Sequence, residues 1–169
     1  MSTTQPMTID IVDDLDQPVG TMSRDAALRS GRGFRTAHVF LVDGAGRILL
    51  QQLAAGRPRH AGRWGSSVAA YVMAGESYVA AARRRLAEEL GVQNAVLRER
   101  VKLAMPDEGA RKFVTLFVAA HAGSVTPDGA VIASVRWAEP AQVEREVQEK
   151  PQLFTPTFAR LFEAFRQVR

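Results

Sequence analysis

The side chains best placed to do chemistry crowd into one stretch, GESYVAAARRRLAEELGV, running from Gly75 to Val92. Glu76, Arg84, Arg85, Glu88 and Glu89 are its charged candidates. Glu88 and Glu89 are adjacent carboxylates beside what reads as a helix C-terminus, where the dipole favours cations. A hard cation such as Mg²⁺ takes oxygen ligands and keeps waters and substrate phosphates in its shell, which would give that placement a reason. Ion pairs at four-residue spacing, Arg84 with Glu88 and Arg85 with Glu89, give it another. From these residues alone both accounts stand, and the ion pairs are the simpler one.

The stretch predicts a single helix. Its alanines and arginines favour helix, and Gly91 suits a left-handed end. Val79, Ala82, Leu86 and Leu90 recur at three- and four-residue steps and form an apolar stripe for a core. Arg85, Glu88 and Glu89 share one flank of that helix.

A second candidate is the loop from Ala54 to Ser67, which carries Arg57, Arg59, His60, Arg63 and Trp64. Its basic groups repel one another, which is tolerable on a wet surface and useful for holding an anion. The loop leads into an apolar strand over Val68 to Met73 and then into the helix, so strand order would bring Arg57 or Arg59 toward the carboxylates. The chain has no cysteine and three histidines, His38, His60 and His121. Disulfides, thiolate sites and cysteine nucleophiles are therefore excluded, and the histidines do not suggest a zinc cluster.

The elements that must position these groups are legible on either side. Ile9 to Val12 and Val19 to Met22 read as a hairpin around Asp16-Gln17-Pro18, and Ser23 as the cap of a short helix through Leu28. Gly31 to Arg35 lacks the spacing of a dinucleotide-binding turn and reads as a loop. Thr36 to Val42 and Arg47 to Gln51 are strands joined by Asp43-Gly44-Ala45-Gly46. Beyond the helix come strands over Ala95 to Met105 and Lys112 to Ala120 around a Pro106 to Ala110 turn, then a strand ending near Trp137. Pro140 to Glu149 reads as a polar helix. Thr155-Pro156 opens a last helix with a Phe158, Leu161, Phe162 and Phe165 stripe for the core. Strands interrupted by a helix predict an α/β layered domain.

Composition bounds the rest. The 169 residues are 46% apolar and 24% charged, which suits one domain over 1–169, with 1–7 expected as a disordered tail. No stretch approaches the roughly 18 apolar residues of a membrane span, and the N-terminus lacks a basic-then-apolar leader. The expectation is a soluble cytoplasmic protein without a membrane role. The net charge is +4, and the arginines that carry most of the positive charge suit phosphate-rich ligands. They are dispersed rather than striped, which ranks nucleic acid below a small diphosphate. The sequence leaves homodimerisation open.

With those residues in view, the stretch resembles the Nudix box: Gly, five residues, Glu, seven residues, then Arg-Glu-apolar-any-Glu-Glu-any-Gly-apolar. Glu76, Arg84, Leu86, Glu88, Glu89, Gly91 and Val92 fall on their positions. Ala70 stands where the first Gly belongs, and Arg85 where the Glu beside the Arg belongs. From Thr8 to about Phe165 the layout is similar to the Nudix branch that includes type 1 isopentenyl-diphosphate isomerase. The isomerase itself carries Arg at the position of Arg85, for the substrate diphosphate, and a basic residue at that of Arg57. The isomerase needs Cys where this chain has Ala69 and His where it has Tyr71. Its acid-bearing strand appears here as Arg111-Lys112-Phe113, so isomerase chemistry is not expected.

The resemblance implies a Nudix-like α/β/α sandwich with a mixed sheet and an N-terminal β-hairpin. It implies cleavage of a diphosphate linkage in a nucleotide or other small organic diphosphate, with Mg²⁺ or Mn²⁺ as cofactor. Glu88 and Glu89 would be metal ligands and catalytic groups, with Glu76 and Arg84 positioning the box. Arg57, Arg59 and Arg85 would hold the substrate phosphates. The general base is a gap that Asp107 or Glu108 could fill. The alternative is an inactive diphosphate-binding or regulatory module, which the loss of a box Glu to Arg85 would also suit.

Overall fold

The computed structural model describes residues 6–168. The hairpin β1 (Thr8–Val12) and β2 (Pro18–Ser23) is followed by α1 (Arg24–Ser30), whose cap Ser23 accepts from the Ala26 amide. Then come β3 (Phe34–Val42), β4 (Ile48–Leu53), β5 (Trp64–Gly65), β6 (Val68–Tyr71) and the box helix α2 (Tyr78–Leu90). The chain continues through β7 (Arg98–Asp107), β8 (Ala110–Ala120), β9 (Ile132–Ala138), α3 (Pro140–Glu149), a 3₁₀ turn (Pro151–Leu153) and α4 (Pro156–Gln167).

Strand β3 organises the sheet. It pairs parallel with β8, from Phe34↔Lys112 to Val42↔Ala120, and antiparallel with β4 and β6; β7 extends the sheet from β8, and β5 and β9 pair with β4. The sheet is therefore mixed. Helix α2 covers one face, where Ala81, Ala82, Leu86 and Leu90 pack on Ala37, Val39, Leu41 and Phe117. On the other face Phe158, Leu161 and Phe162 of α4 and Val143 of α3 pack on Phe40, Ile48, Leu50, Val114 and Leu116. This is the expected α/β/α sandwich, and the aromatic stripe of the last helix is core, as its periodicity predicted.

The hairpin forms a third cluster, with Ile9 and Ile11 against Ala27 and Phe34. It also latches onto the box: the Ala74 amide donates to Thr8 O at 2.9 Å, and the Gly75 amide to Asp10 Oδ2 at 3.1 Å. Of the expected tail, residues 1–5 lie outside the described residues. Met7 is held, its carbonyl accepting from the Arg24 amide at 2.7 Å.

Several boundaries differ for local reasons. The supposed loop Gly31 to Arg35 already contains the start of β3, because Phe34 is fully buried and Gly33 bridges to Val12. A Cβ at Gly33 would stand 2.6 Å from Val12 O, so only glycine lets the two backbones approach. The β7–β8 turn is tighter than Pro106 to Ala110: Glu108 and Gly109 both have positive φ, 48° and 88°, as two-residue hairpin turns require. Among the described residues no helix is long and apolar enough to cross a membrane.

Candidate functional site

The box helix is fixed at both ends. Ser77 Oγ accepts from the Ala80 amide, and Gly91, at φ 65°, closes the helix with its N–H on Ala87 O. The last turn carries no basic residue. Its carbonyls are met instead by loop backbone, with Thr126 N–H donating to Leu90 O and Asp128 N–H to Glu89 O, both at 2.8 Å. The turn bearing Glu88 and Glu89 is thus fixed without a cation at its end.

Upstream of the helix, Glu76 and Arg84 form a two-point pair. Arg84 Nε lies 2.9 Å from Glu76 Oε2 and Nη2 lies 3.0 Å from Oε1. Nη2 also donates to Tyr71 O at 3.0 Å, and Glu76 Oε1 accepts from the Met73 amide at 3.0 Å. Burial disfavours the Glu76 charge, but the Arg84 fork and the Met73 amide outweigh it and hold the carboxyl below its ordinary value. The pair clamps the loop between β6 and α2, a positioning arrangement.

Arg85, Glu88 and Glu89 meet on the flank the helical wheel assigns them. Arg85 Nη1 is 3.3 Å from Glu88 Oε2, and Arg85 Nε is 3.0 Å from Glu89 Oε1. Arg84 Nη1 lies 3.5 Å from Glu88 Oε2. The four-residue ion pairs suggested by spacing are therefore present. Glu88 is half exposed, whereas Glu89 is only 2% exposed. The Arg85–Glu89 contact is close but poorly aimed: neither the buried Nε nor Glu89 Oε2 has a hydrogen-bond partner among the described residues. Burial raises the Glu89 carboxyl above its ordinary value, with Arg85 and Arg57 pulling the other way.

The basic loop splits its arginines. Arg57 bears on Glu89 electrostatically and makes no ion pair among the described residues, which leaves its guanidinium available. Arg59 turns to the β7–β8 end, with Nη2 2.5 Å from Asp107 Oδ1 and 3.5 Å from Glu108 Oε1. Lys112 Nζ lies 3.1 Å from Asp107 Oδ2 and donates to Thr157 Oγ1 at 2.7 Å. Asp107 is 7% exposed at its side chain; burial opposes its charge, but Arg59 and Lys112 outweigh it and depress its pKa. A carboxylate so held is neither mobile nor basic, which removes the reason to assign it as general base. Glu108 points outward, 70% exposed.

Three features escape the sequence. Gln51 is buried beside Glu89, its Nε2 donating to Ser67 O at 2.9 Å. His38 is buried with Nδ1 2.8 Å from Ser66 Oγ, and burial, with Lys112 nearby, pushes its pKa down to about 3. Asp16, in the hairpin turn, gathers Arg35 at 2.6 Å, Lys102 at 2.6 Å and the Tyr78 hydroxyl at 2.8 Å. Its φ of +59°, a conformation Asp tolerates better than most residues, marks the turn but not those partners.

An α/β/α sandwich with a mixed sheet, whose strand-loop-helix unit presents paired carboxylates and a Glu–Arg clamp, defines the architecture of a Nudix domain. Residues 33–158 match the family model of the NUDIX domain, and the chain belongs to the Nudix family. It is 33% identical over 163 residues to an isopentenyl-diphosphate Delta-isomerase of Nocardia farcinica, covering 93% of each chain. An uncharacterized Nudix hydrolase of Pseudomonas aeruginosa is 29% identical over 140 residues, with 83% of each chain covered. In fold, the chain is similar to DR0079 of Deinococcus radiodurans, with a TM-score of 0.82, 22% identity and coverage of 92% and 97%.

Proposed function

We propose that this protein is a Nudix-type hydrolase that cleaves the diphosphate linkage of a nucleotide or other small organic diphosphate with the help of a divalent metal. The observation that carries the reading is Glu89, a buried carboxylate with an unpartnered oxygen beside Glu88, Arg85 and the unpaired Arg57.

Nudix proteins generally use divalent metals. The donor set fits a hard cation held by one or two carboxylates, with waters and substrate phosphates completing its shell. Among the described residues no three His, Asp or Glu side chains converge, so Glu88 and Glu89 would be the protein's ligands. When bound, Mg²⁺ or Mn²⁺ would supply charge neutralisation at the phosphates and activation of water. Arg57 and Arg85 bind and orient the diphosphate through forked contacts to its oxygens. Arg84 and Glu76 keep the β6–α2 loop in register with the carboxylates. Arg59, engaged with Asp107, anchors the basic loop and thereby sets where Arg57 stands.

Three substitutions favour hydrolysis over the reaction named for the isomerase relatives. Ala69, at the position of the isomerase cysteine, is exposed on β6, and Tyr71 replaces the histidine. Where the acids belong stands Arg111-Lys112-Phe113, with Lys112 buried against Asp107. The thiol, imidazole and carboxylates that the isomerase uses to move protons at carbon are thus absent from those positions, which supports hydrolysis over isomerisation.

The pairing of Arg85 with both carboxylates, and the tethering of Asp107, favour one second reading: a module that binds diphosphates without turning them over. Product release from a panel of nucleoside di- and triphosphates, dinucleotides and prenyl diphosphates, with Mg²⁺ or Mn²⁺, separates the two. Turnover lost in Glu89→Gln is the expected result. Panel members that raise the melting temperature without turnover would favour the binding module.

A further inference from the structure

The cation that belongs in a carboxylate box need not come from solution. Arg85 lies three residues before Glu88 and four before Glu89, the spacings that face one another on a helix. Its guanidinium reaches both, at 3.3 and 3.0 Å. Among the described residues these are its only charged partners, and the unpartnered Nε and Glu89 Oε2 mark the contact as an imperfect match. Arg84 is different: bonded twice to Glu76 and once to Tyr71 O, it has nowhere to go.

We propose that Arg85 is an internal counter-ion that holds the box carboxylates until a diphosphate draws it away, so that diphosphate and divalent metal bind with mutual coupling that runs through this side chain. The inference rests on Glu88 and Glu89 being the metal ligands, as read above. With Arg85 on the carboxylates, an arriving dication meets a cation a few ångströms away and lone pairs already engaged. A diphosphate offers the guanidinium a fork-matched, doubly charged partner beside the unpaired Arg57. Once Arg85 turns to it, Glu89 loses its paired cation and Glu88 keeps only the longer Arg84 contact, at 3.5 Å, so the carboxylates open to metal. Coupling of this kind is reciprocal, and the metal must tighten the diphosphate by the factor by which the diphosphate tightens the metal.

The test is titration calorimetry on the intact protein with each probe by itself: Mn²⁺ without diphosphate, and methylene diphosphonate in the presence of a chelator. Arg85→Gln is expected to tighten Mn²⁺ by about tenfold, within the range usual for two-site coupling, and to weaken the metal-free diphosphonate. A residue with only a structural role would not move the two affinities in opposite directions. Arg85→Lys keeps the charge and is expected to leave Mn²⁺ binding near wild type. The double variant Arg85→Gln, Glu89→Gln is expected to lose the gain. If wild type and Arg85→Gln bind Mn²⁺ equally and Glu89→Gln abolishes it in both, the metal assignment stands and the counter-ion role is overturned. If neither protein binds Mn²⁺ at millimolar concentration, with or without diphosphonate, both fall.

Discussion

The hydroxyl of Tyr78, the first residue of the box helix, donates at 2.8 Å to a carboxylate oxygen of Asp16 in the N-terminal hairpin turn. The same carboxylate accepts from Arg35 and Lys102, and both cations also stand over the Tyr78 ring, at 5.4 and 5.1 Å from its centroid. The hairpin is thereby tied to the start of the box helix through one buried anion. Asp16→Ala leaves Arg35 without its carboxylate, a loss of about 3 kcal/mol for a broken buried pair. In a chain of this size that is a fall in melting temperature of roughly 6–12 °C. A melt within 1 °C of wild type would show that the hairpin is held by apolar packing alone.

The pH dependence follows from the same group and from Asp107. In both, burial opposes ionisation and the neighbouring cations outweigh it, so the folded pKa lies below the unfolded one. The stability they contribute is complete above the unfolded carboxylate value of about 3.9 and is lost as pH falls through the lower folded values. Denaturant midpoints measured from pH 6 down to pH 2 should drop through that window. The drop should be shallower in Asp16→Asn and in Asp107→Asn; identical slopes in all three proteins would contradict the assignment.

Glu89 has the opposite sign. Its folded pKa is raised, so its ionised form disfavours the fold once pH exceeds the ordinary carboxylate value. Glu89→Gln removes a buried, poorly paired charge and should raise the melting temperature at pH 7.5 by a few degrees, about 1 kcal/mol, while turnover disappears. A lower melting temperature would mean that the Arg85 contact is worth more than its geometry suggests.

The two loop arginines should separate in their effects. Arg59→Ala leaves the buried Asp107 carboxylate with Lys112 as its remaining buried cation and should cost about 2 kcal/mol of stability. Arg57→Ala should leave the melt nearly unchanged and raise KM for the diphosphate substrate. Equal effects on stability would place both residues in the scaffold.

The box helix, the strands flanking its loop and the phenylalanine stripe of α4 were legible because their signals are local: Gly91 as the helix end, and apolar residues at helical steps. The Glu88 and Glu89 flank was legible for the same reason, down to the ion pairs with Arg84 and Arg85. What could not be read was which distant partner each charge takes. Nothing near Arg59 in sequence announces Asp107, and nothing near Asp16 announces Tyr78 or Lys102, because those meetings are made by sheet register. The early start of β3 was missed because Gly33 looks like a loop residue until the Val12 backbone is brought against it.

The parallel register of β3 with β8 also has a meaning for the order in which the molecule is made. A ribosome delivers the box helix complete with its own caps, yet its floor is unfinished until β8 has emerged, and the carbonyls of Glu89 and Leu90 wait for Asp128 and Thr126. Parallel pairing across such a span belongs to the slower class of folding steps. A nascent chain stalled at the end of the helix would hold every residue of the box but neither the β8 floor beneath it nor the amides that meet its last carbonyls.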